Sequence, residues 1–148
     1  MSRRLRVEWS SSVAVSAKDR RHFERLLERF AKELSLGPAD VALSLVGKAR
    51  IRTLNKRFRK KDRVTDVLSF PLAPGPKGSR RHLGDIVVAL PVAKAVARTE
   101  RRPWKAEVAR YLAHGMLHLL GFDHETRAQA RVMRAWEERL LGERGMVP

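Results

Sequence analysis

A long helix that is apolar on nearly every side, at residues 104–120, most constrains what this chain can fold into. Its second half reads LAHGMLHLL, and apolar side chains occupy most positions around the helix axis. A helix of this kind is buried on several sides instead of lying on a surface. The rest of the chain must therefore supply layers that cover it. Gly121 can end the helix and turn the chain, because glycine tolerates a positive φ.

Eight further segments carry the periodicities of strands and helices. The predicted strands lie at 5–9, at 41–47, within 64–72 and within 83–91, and a Gly- and Pro-rich loop occupies 73–82. The other predicted helices run from Ser16 to about Gly37, and over 49–59, 91–101 and 125–141. Strands interspersed with helices predict a single α+β domain over residues 1–148. We expect a small mixed sheet of about four strands packed with about five helices.

Three of the five histidines lie in the motif HGMLHLLGFDH, residues 114–124. Residues four apart lie on one face of a helix, so His114 and His118 project together, and the turn after them returns His124. Three neutral imidazoles with one open position are typical of a catalytic zinc site. Nickel, copper and iron also suit imidazole, and packed core histidines are the alternative. We predict one Zn²⁺ at the end of the long helix and the following turn.

The same motif overlaps the zinc-protease signature H-E-x-x-H-x-x-G-x-x-H. The histidines and the glycine of that signature are present here, but its glutamate position holds Gly115. In the proteases this glutamate takes a proton from zinc-bound water, and glycine cannot do so. A metallopeptidase is therefore disfavoured. Gly115 is instead expected to leave space beside the metal for a bulky substrate group.

The chain is strongly basic, with 32 Lys and Arg against 16 Asp and Glu, a net charge of +16. Such an excess favours polyanionic partners, chiefly nucleic acid. Nine basic residues fall between Lys48 and Arg63, where Asp62 alone opposes them. We expect this segment to follow a phosphate backbone, with plain solvated surface as the alternative. The residues expected to contact the nucleic acid are Lys56, Arg57, Arg59, Lys60, Lys61 and Arg63.

Two absences in the sequence narrow the class of protein. There is no cysteine, so disulfides and thiolate metal sites are excluded. There is no run of about 18 apolar residues, and the basic N-terminus lacks an apolar segment, so neither a membrane span nor a secretory signal is predicted. We expect a cytoplasmic protein without a membrane partner.

Three motifs in order resemble the YbeY family of bacterial rRNA-maturation factors, described as metal-dependent endoribonucleases. HGMLHLLGFDH resembles the family signature, LNKRFRKKDRVTDVLSFP its basic helix and following strand, and LGDIVV its next strand. Met133 and Glu137 in the last helix extend the resemblance, which covers about residues 41–140. One departure is Val64, where the family usually has proline.

The resemblance implies that His114, His118 and His124 bind zinc, and that Arg59 lines the active-site cleft and takes part in RNA cleavage. It implies a mixed sheet with helices around a cleft that leads to the metal. The implied activity is a zinc-dependent, single-strand-specific endoribonuclease that matures ribosomal RNA, notably the small-subunit 3′ end, and acts in ribosome quality control. The implied partners are ribosomal RNA and its precursor, the small ribosomal subunit and its associated proteins.

Such a site needs a metal, a fixed cation and a proton acceptor. Arg59 and the ligand His114 are the predicted catalytic residues, because a fixed arginine stabilises charge developing at phosphorus. The predicted supporting carboxylates are Asp123, which can orient an imidazole, and Asp85 and Asp66, which are expected at strand ends. The proton acceptor stays unassigned among Asp85, His82 and Asp123, the titratable groups in or near the motifs. The nucleophile is open as well, since the RNA 2′-OH can replace water.

Two functions from different classes remain open on the sequence. The first is a zinc-dependent endoribonuclease acting on rRNA, favoured by the open metal position. The second is a non-catalytic ribosome-assembly factor whose metal organises the C-terminal turn, favoured by the missing protease base.

Overall fold

The computed structural model describes residues 5–142, which contain four strands and five helices. The strands are Leu5–Ser11 (β1), Ala39–Val46 (β2), Val67–Pro71 (β3) and Arg81–Ala89 (β4). The helices are Ala17–Glu33 (α1), Lys48–Arg59 (α2), Leu90–Thr99 (α3), Trp104–Leu119 (α4) and Arg127–Leu141 (α5). The predicted α+β fold is confirmed, with the expected numbers of strands and helices. No helix within residues 5–142 is long and apolar enough to cross a membrane.

The four strands form one mixed sheet in the order β1-β2-β4-β3. β1 pairs in parallel with β2, and β2 in parallel with β4, so each of these pairs needs a helix-containing crossover between its strands. β3 pairs with β4 in the antiparallel direction, across the loop between them. β3 is therefore an edge strand, and it borders the candidate site described below.

Helices cover both faces of this sheet. In β4, Ile86 and Val88 join the main core, whereas Val87 joins a smaller cluster with Ile51 of α2, because neighbouring strand residues point to opposite faces. The main core lies between the sheet and helices α1, α3, α4 and α5. Its fully buried side chains include Phe23, Leu27, Leu43, Leu112 and Met116. The long helix α4 is thus covered by the sheet on one side and by helices on others, as its composition predicts.

A β-bulge near the start of β4 shapes the border with β3. The pairing between β2 and β4 shifts between Asp40 and Val41. Gly84, at the bulge, has a φ of +131°, and a Cβ there would collide with the backbone carbonyl oxygen of Phe70. Glycine is therefore needed for the two strands to approach. β4 begins at Arg81, earlier than the sequence predicts.

Helix α1 begins at the predicted N-cap, Ser16, whose hydroxyl accepts the N–H of Asp19 at 3.1 Å. The carboxylate of Asp19 pairs with Lys105 of α4 at 2.8 Å. Within the described residues, Ser16 caps the helix, and the side chain of Asp19 ties α1 to α4. The hydrogen bond from Lys105 holds the pKa of Asp19 below its usual value of 3.8.

Candidate metal centre

Helix α4 presents His114 and His118 on one face near its C-terminal end. The other sides of this helix are fixed by Leu112, Met116 and Leu117, which are fully buried. The two imidazoles are half-buried, and their Nε2 atoms lie 3.1 Å apart. A rigid, packed helix therefore holds two ring nitrogens against each other at the helix end.

A tight turn after α4 returns His124 to the other two histidines. Gly121 adopts a φ of +95°, the left-handed conformation that ends many helices, and Phe122 N–H donates to Leu117 O at 3.0 Å. The Phe122 ring packs against Trp136 of α5, with centroids 6.3 Å apart, which ties the turn to the last helix. The His124 ring centroid then lies 5.8 Å and 5.3 Å from those of the first two histidines.

His114, His118 and His124 form an open cluster, the histidine tripod, whose donor set fits a divalent metal. One ring nitrogen from each lies within 4.8 Å of the other two. Tetrahedral zinc with imidazole nitrogens at about 2.0–2.1 Å needs nitrogen–nitrogen separations of roughly 3.3 Å. The 3.1 Å between two Nε2 atoms is close to that separation. No fourth His, Cys, Asp or Glu among residues 5–142 joins the cluster, so a tetrahedral ion keeps one position for solvent or substrate.

The surroundings of His118 favour its neutral form, which is the form of imidazole that binds metal. Burial lowers the pKa of His118 below its usual value, and the charges of the two neighbouring histidines lower it further. Asp123 opposes this shift. The low pKa of His118 therefore reduces competition between a proton and a metal at this ligand.

Glu137 of α5 is a residue of the site that the sequence analysis did not assign to it. Its Oε1 lies 3.4 Å from Nδ1 of His114, while Nε2 of the same ring faces His118. Metal-binding histidines commonly donate their second N–H to a carboxylate, which fixes the ring and raises its basicity. The available signal was helical spacing, because Glu137 follows the buried Met133 by four residues.

Gly115 packs against the sheet and also lines the cleft described below, and the expectation that it leaves space beside the metal stays a prediction. A Cβ at this position would lie 3.1–3.3 Å from three carbons of Ile86 in β4. Glycine is there because α4 and the sheet approach closely, a tertiary contact that the motif does not reveal. A side chain at position 115 would require the fully buried Ile86 to shift by a few tenths of an ångström.

A cleft of about 810 Å³, the metal cleft, extends from the tripod along β3. Its charged lining consists of four basic residues and four acidic ones, so the side-chain charges balance. A bound divalent cation would make the cleft net positive, which suits a phosphate ligand. The basic residues are Arg59, Lys61, Arg63 and Arg110, and the acidic residues are Asp66, Asp123, Glu125 and Glu137.

Arg59, the last residue of α2, reaches the metal cleft from the opposite side of β3. Its terminal nitrogen donates to the carbonyl oxygen of Ser69, and its guanidinium lies 5.3 Å from the centroid of the Phe70 ring. Both Arg59 and Ser69 line the cleft. These contacts with the edge strand hold the guanidinium beside the space that the tripod faces.

The other predicted RNA-contacting residues divide into two groups. Lys61 and Arg63 line the metal cleft. The chain turns there because Lys60 adopts a left-handed conformation that ends α2. The side chain of the buried Asn55 then donates to the carbonyl oxygen of Arg63 at 3.0 Å. Lys56, Arg57 and Lys60 do not line the cleft and lie on the exposed side of the helix and its cap. The structure therefore brings half of the predicted set to the cleft and leaves the rest beside it.

Asp66 and Asp123, two of the predicted supporting carboxylates, both line the metal cleft. Asp66 precedes β3, and its carboxylate accepts the N–H of Val67 at 2.7 Å. Asp123 accepts the backbone N–H of His124 at 2.7 Å. Each carboxylate thus holds backbone next to the site, and the contact of Asp123 is with a ligand's main chain instead of its ring.

Asp85 lies in the middle of β4, opposite Phe70, and the prediction that it sits at a strand end was wrong. The strand begins before the predicted start, which moves Asp85 inward. Phe70 packs on the α2 side of the sheet, the face away from α4. Among the described residues, Asp85 does not line the metal cleft. His82, also considered as a proton carrier, lies 3.0 Å from the Asp40 carboxylate at the start of β4.

A buried ion-pair network supports the wall of the cleft one turn before the tripod. Glu107 has 3% of its side chain exposed, and its Oε1 pairs with Arg102 at 3.0 Å and Arg110 at 3.1 Å. Burial and a hydrogen bond with Glu107 raise the pKa of Tyr111 above its usual range. Arg110 precedes His114 by four residues and lines the cleft, so the network fixes a second cation beside the tripod.

The chain is similar to one known protein family over nearly its whole length. The family model described as "Endoribonuclease YbeY" matches residues 7–145. A protein of Myxococcus xanthus with that name is 49% identical over 92% of this chain and 48% of its own length. One from an Anaeromyxobacter species is 53% identical over 83% of this chain and 65% of its own. The chain thus spans about half to two thirds of these two relatives. The solution structure of a Thermotoga maritima protein is similar, with a TM-score of 0.63 and 28% identity over 93% of this chain and 91% of that one.

Proposed function

The chain belongs to the YbeY endoribonuclease family, and we propose that it is a zinc-dependent endoribonuclease that cleaves single-stranded RNA. We propose ribosomal RNA as the substrate, with roles in maturation of the small-subunit 3′ end and in ribosome quality control. The small ribosomal subunit and its associated proteins are the proposed partners, and the cytoplasm the proposed location. The observation that carries this proposal is the open histidine tripod facing a cleft that Arg59 also lines.

The proposed metal ligands are His114, His118 and His124. Bound zinc would supply Lewis acidity at a phosphoryl oxygen and lower the pKa of a bound water. The protein's own part is to hold the three imidazoles in place. The packed helix α4, the glycine turn after it and the carboxylate of Glu137 together provide that support.

Arg59 is the proposed catalytic cation. Its guanidinium is fixed between Ser69 O and the Phe70 ring, so little rearrangement is needed when negative charge develops on a phosphate in the cleft. Arg110, held by the buried Glu107, lines the same cleft on the α4 side. A phosphodiester bound at the tripod would therefore have a fixed arginine from each side of the cleft.

Position 115 holds no base that would indicate the nucleophile. The reaction products identify the nucleophile instead. Attack by the 2′-OH would leave a 2′,3′-cyclic phosphate and a 5′-hydroxyl, and it would stop when the substrate is DNA of the same sequence. Attack by water would leave a phosphate monoester and a hydroxyl, and DNA would remain a substrate. Mass spectrometry of the products distinguishes the two routes.

The alternative function is a non-catalytic ribosome-assembly factor with a structural metal. The glycine at position 115 favours it, because the glutamate that serves as base in the zinc proteases is absent. The 810 Å³ cleft beside the tripod favours the enzyme, since a purely structural zinc site is normally closed by four protein ligands.

The test is cleavage of single-stranded RNA by zinc-loaded protein that is free of contaminating ribonuclease. We expect cleavage that is lost in Arg59→Ala and in His114→Ala, with Arg139→Ala on α5 as the matched arginine control. Cleavage that persists at the wild-type rate in the first two variants would overturn the enzymatic proposal. RNA binding without any cleavage by the wild-type protein would favour the assembly factor.

A further inference from the structure

Phe58 is an exposed aromatic residue next to the metal cleft, with 55% of its surface open to solvent. It continues the apolar stripe of α2 that begins at Ile51, which is fully buried, and runs through the partly buried Leu54. The small hydrophobic cluster between α2 and the sheet ends at the edge strand β3, and Phe58 lies beyond it. Helix formation and core packing therefore do not explain a phenyl ring at this position.

The ring of Phe58 makes an edge-to-face contact with Phe70 of β3, with centroids 5.3 Å apart and planes at 62°. Two guanidinium groups accompany this aromatic pair. Arg57 lies 5.2 Å from the Phe58 centroid, and Arg59 lies 5.3 Å from the Phe70 centroid. Interleaved aromatic and cationic side chains are what proteins use to hold single-stranded nucleic acid, with rings under the bases and cations at the phosphates.

The aromatic pair adjoins the metal cleft through Arg59. This arginine contacts Phe70 with its guanidinium, and the same group donates to Ser69 O inside the cleft. A strand of RNA that enters the cleft across the edge of β3 would therefore pass over Phe58 before it reaches the tripod.

We propose that Phe58 and Phe70 form a stacking platform for an unpaired nucleobase that flanks the nucleotide bound at the metal. Arg57 and Arg59 would contact the adjoining phosphates. This inference rests on the proposed function, because the platform would explain why the enzyme acts on single-stranded RNA. Bases in a duplex are stacked on each other and cannot use the platform, and stacking discriminates weakly among bases.

Charge decides between RNA and an apolar protein segment as the occupant. Phe58 is bordered by the basic residues of α2 and its cap, and Asp62 is the acidic residue among them. A polyanion gains from each of these cations, whereas an apolar helix or strand would leave them without compensation. The platform is therefore assigned to nucleic acid.

The experiment measures binding of the zinc-loaded full chain to two probes by fluorescence anisotropy. One probe is a single-stranded 2′-O-methyl RNA, and the other is an abasic backbone of equal length. We expect Phe58→Ala and Phe58→Leu to weaken binding of the first at least about five-fold, to leave the second within about two-fold, and Phe58→Trp to retain both. Val132→Ala on α5 removes an equally exposed apolar side chain and should change neither.

Equal losses on both probes, unchanged binding in Phe58→Ala, or rescue by leucine would overturn the platform. These outcomes differ from failure of the proposed function, which would appear as absence of RNA cleavage by the wild-type protein. If the wild-type protein binds neither probe, the platform fails as well. A gel of the recovered probe verifies that it stays intact during the measurement.

Discussion

Replacement of Glu137 by glutamine tests how the fold supports its metal ligand. The carboxylate Oε1 is 3.4 Å from Nδ1 of His114, and the two side chains are 30% and 34% exposed. Glutamine keeps the size and a hydrogen-bonding group but removes the charge. The ring would then lose the partner that fixes its orientation and raises the basicity of the nitrogen facing His118.

The size of the effect follows from this geometry. Removal of such a partner costs about 10- to 100-fold in metal affinity. The contact is long, and about a third of each side chain is solvated. We therefore expect zinc affinity to fall by the lower end of that range, about ten-fold, which is equivalent to about 1.4 kcal/mol. The assay is a zinc titration against a chromophoric chelator at neutral pH.

Glu138→Gln is the matched control, since this neighbouring glutamate is exposed and lies outside the metal cleft among the described residues. It should bind zinc like the wild-type protein. Zinc affinity unchanged in Glu137→Gln would refute the supporting role, and an equal loss in both variants would reduce it to a general effect of net charge. Far-ultraviolet circular dichroism should show the same helix content in all three proteins.

Three further predictions concern stability. Gly115→Ala should lower the free energy of unfolding in urea by up to about 2 kcal/mol. Overpacking against Ile86 costs about 1–3 kcal/mol, and the gain in helix propensity offsets about 1 kcal/mol of that cost. A stabilised variant would contradict the close approach of α4 to the sheet. Gly84→Ala should cost at least about 2 kcal/mol, since a methyl group at φ +131° meets backbone of β3, and an unchanged unfolding midpoint would refute this. Asp19→Asn should be less stable than wild type at neutral pH, because Lys105 lowers the folded-state pKa of Asp19 below 3.8. The difference should shrink as the pH falls below 3.8 and through the folded-state pKa, where the carboxylate is protonated in both states. A difference in stability that does not change with acidification would argue against the ion pair.

The features that the sequence predicted well are those that depend on neighbouring residues. The apolar pattern of α4 indicates that the helix is covered on several sides, and the spacing of His114 and His118 places them on one face. Gly121 ends the helix by its own conformational freedom. The convergence of the three histidines therefore required only a helix and one turn.

The features that the sequence did not predict depend on residues far apart in the chain. Glu137 reaches His114 across 23 positions because α5 packs against α4. Ile86 of the sheet packs against Gly115 of α4. Asp85 lies inside β4 because the strand, which contains a bulge, begins before the predicted start. No local pattern specifies these contacts, since they follow from how the helices and the sheet pack together.

The most direct measurement is an anomalous-scattering map of crystals of the zinc-loaded protein, collected on both sides of the zinc edge. We expect one zinc ion bound by His114, His118 and His124, with solvent in the remaining position on the side of the metal cleft. A fourth protein ligand that closes the ion, or a tripod that stays empty at saturating zinc, would contradict it.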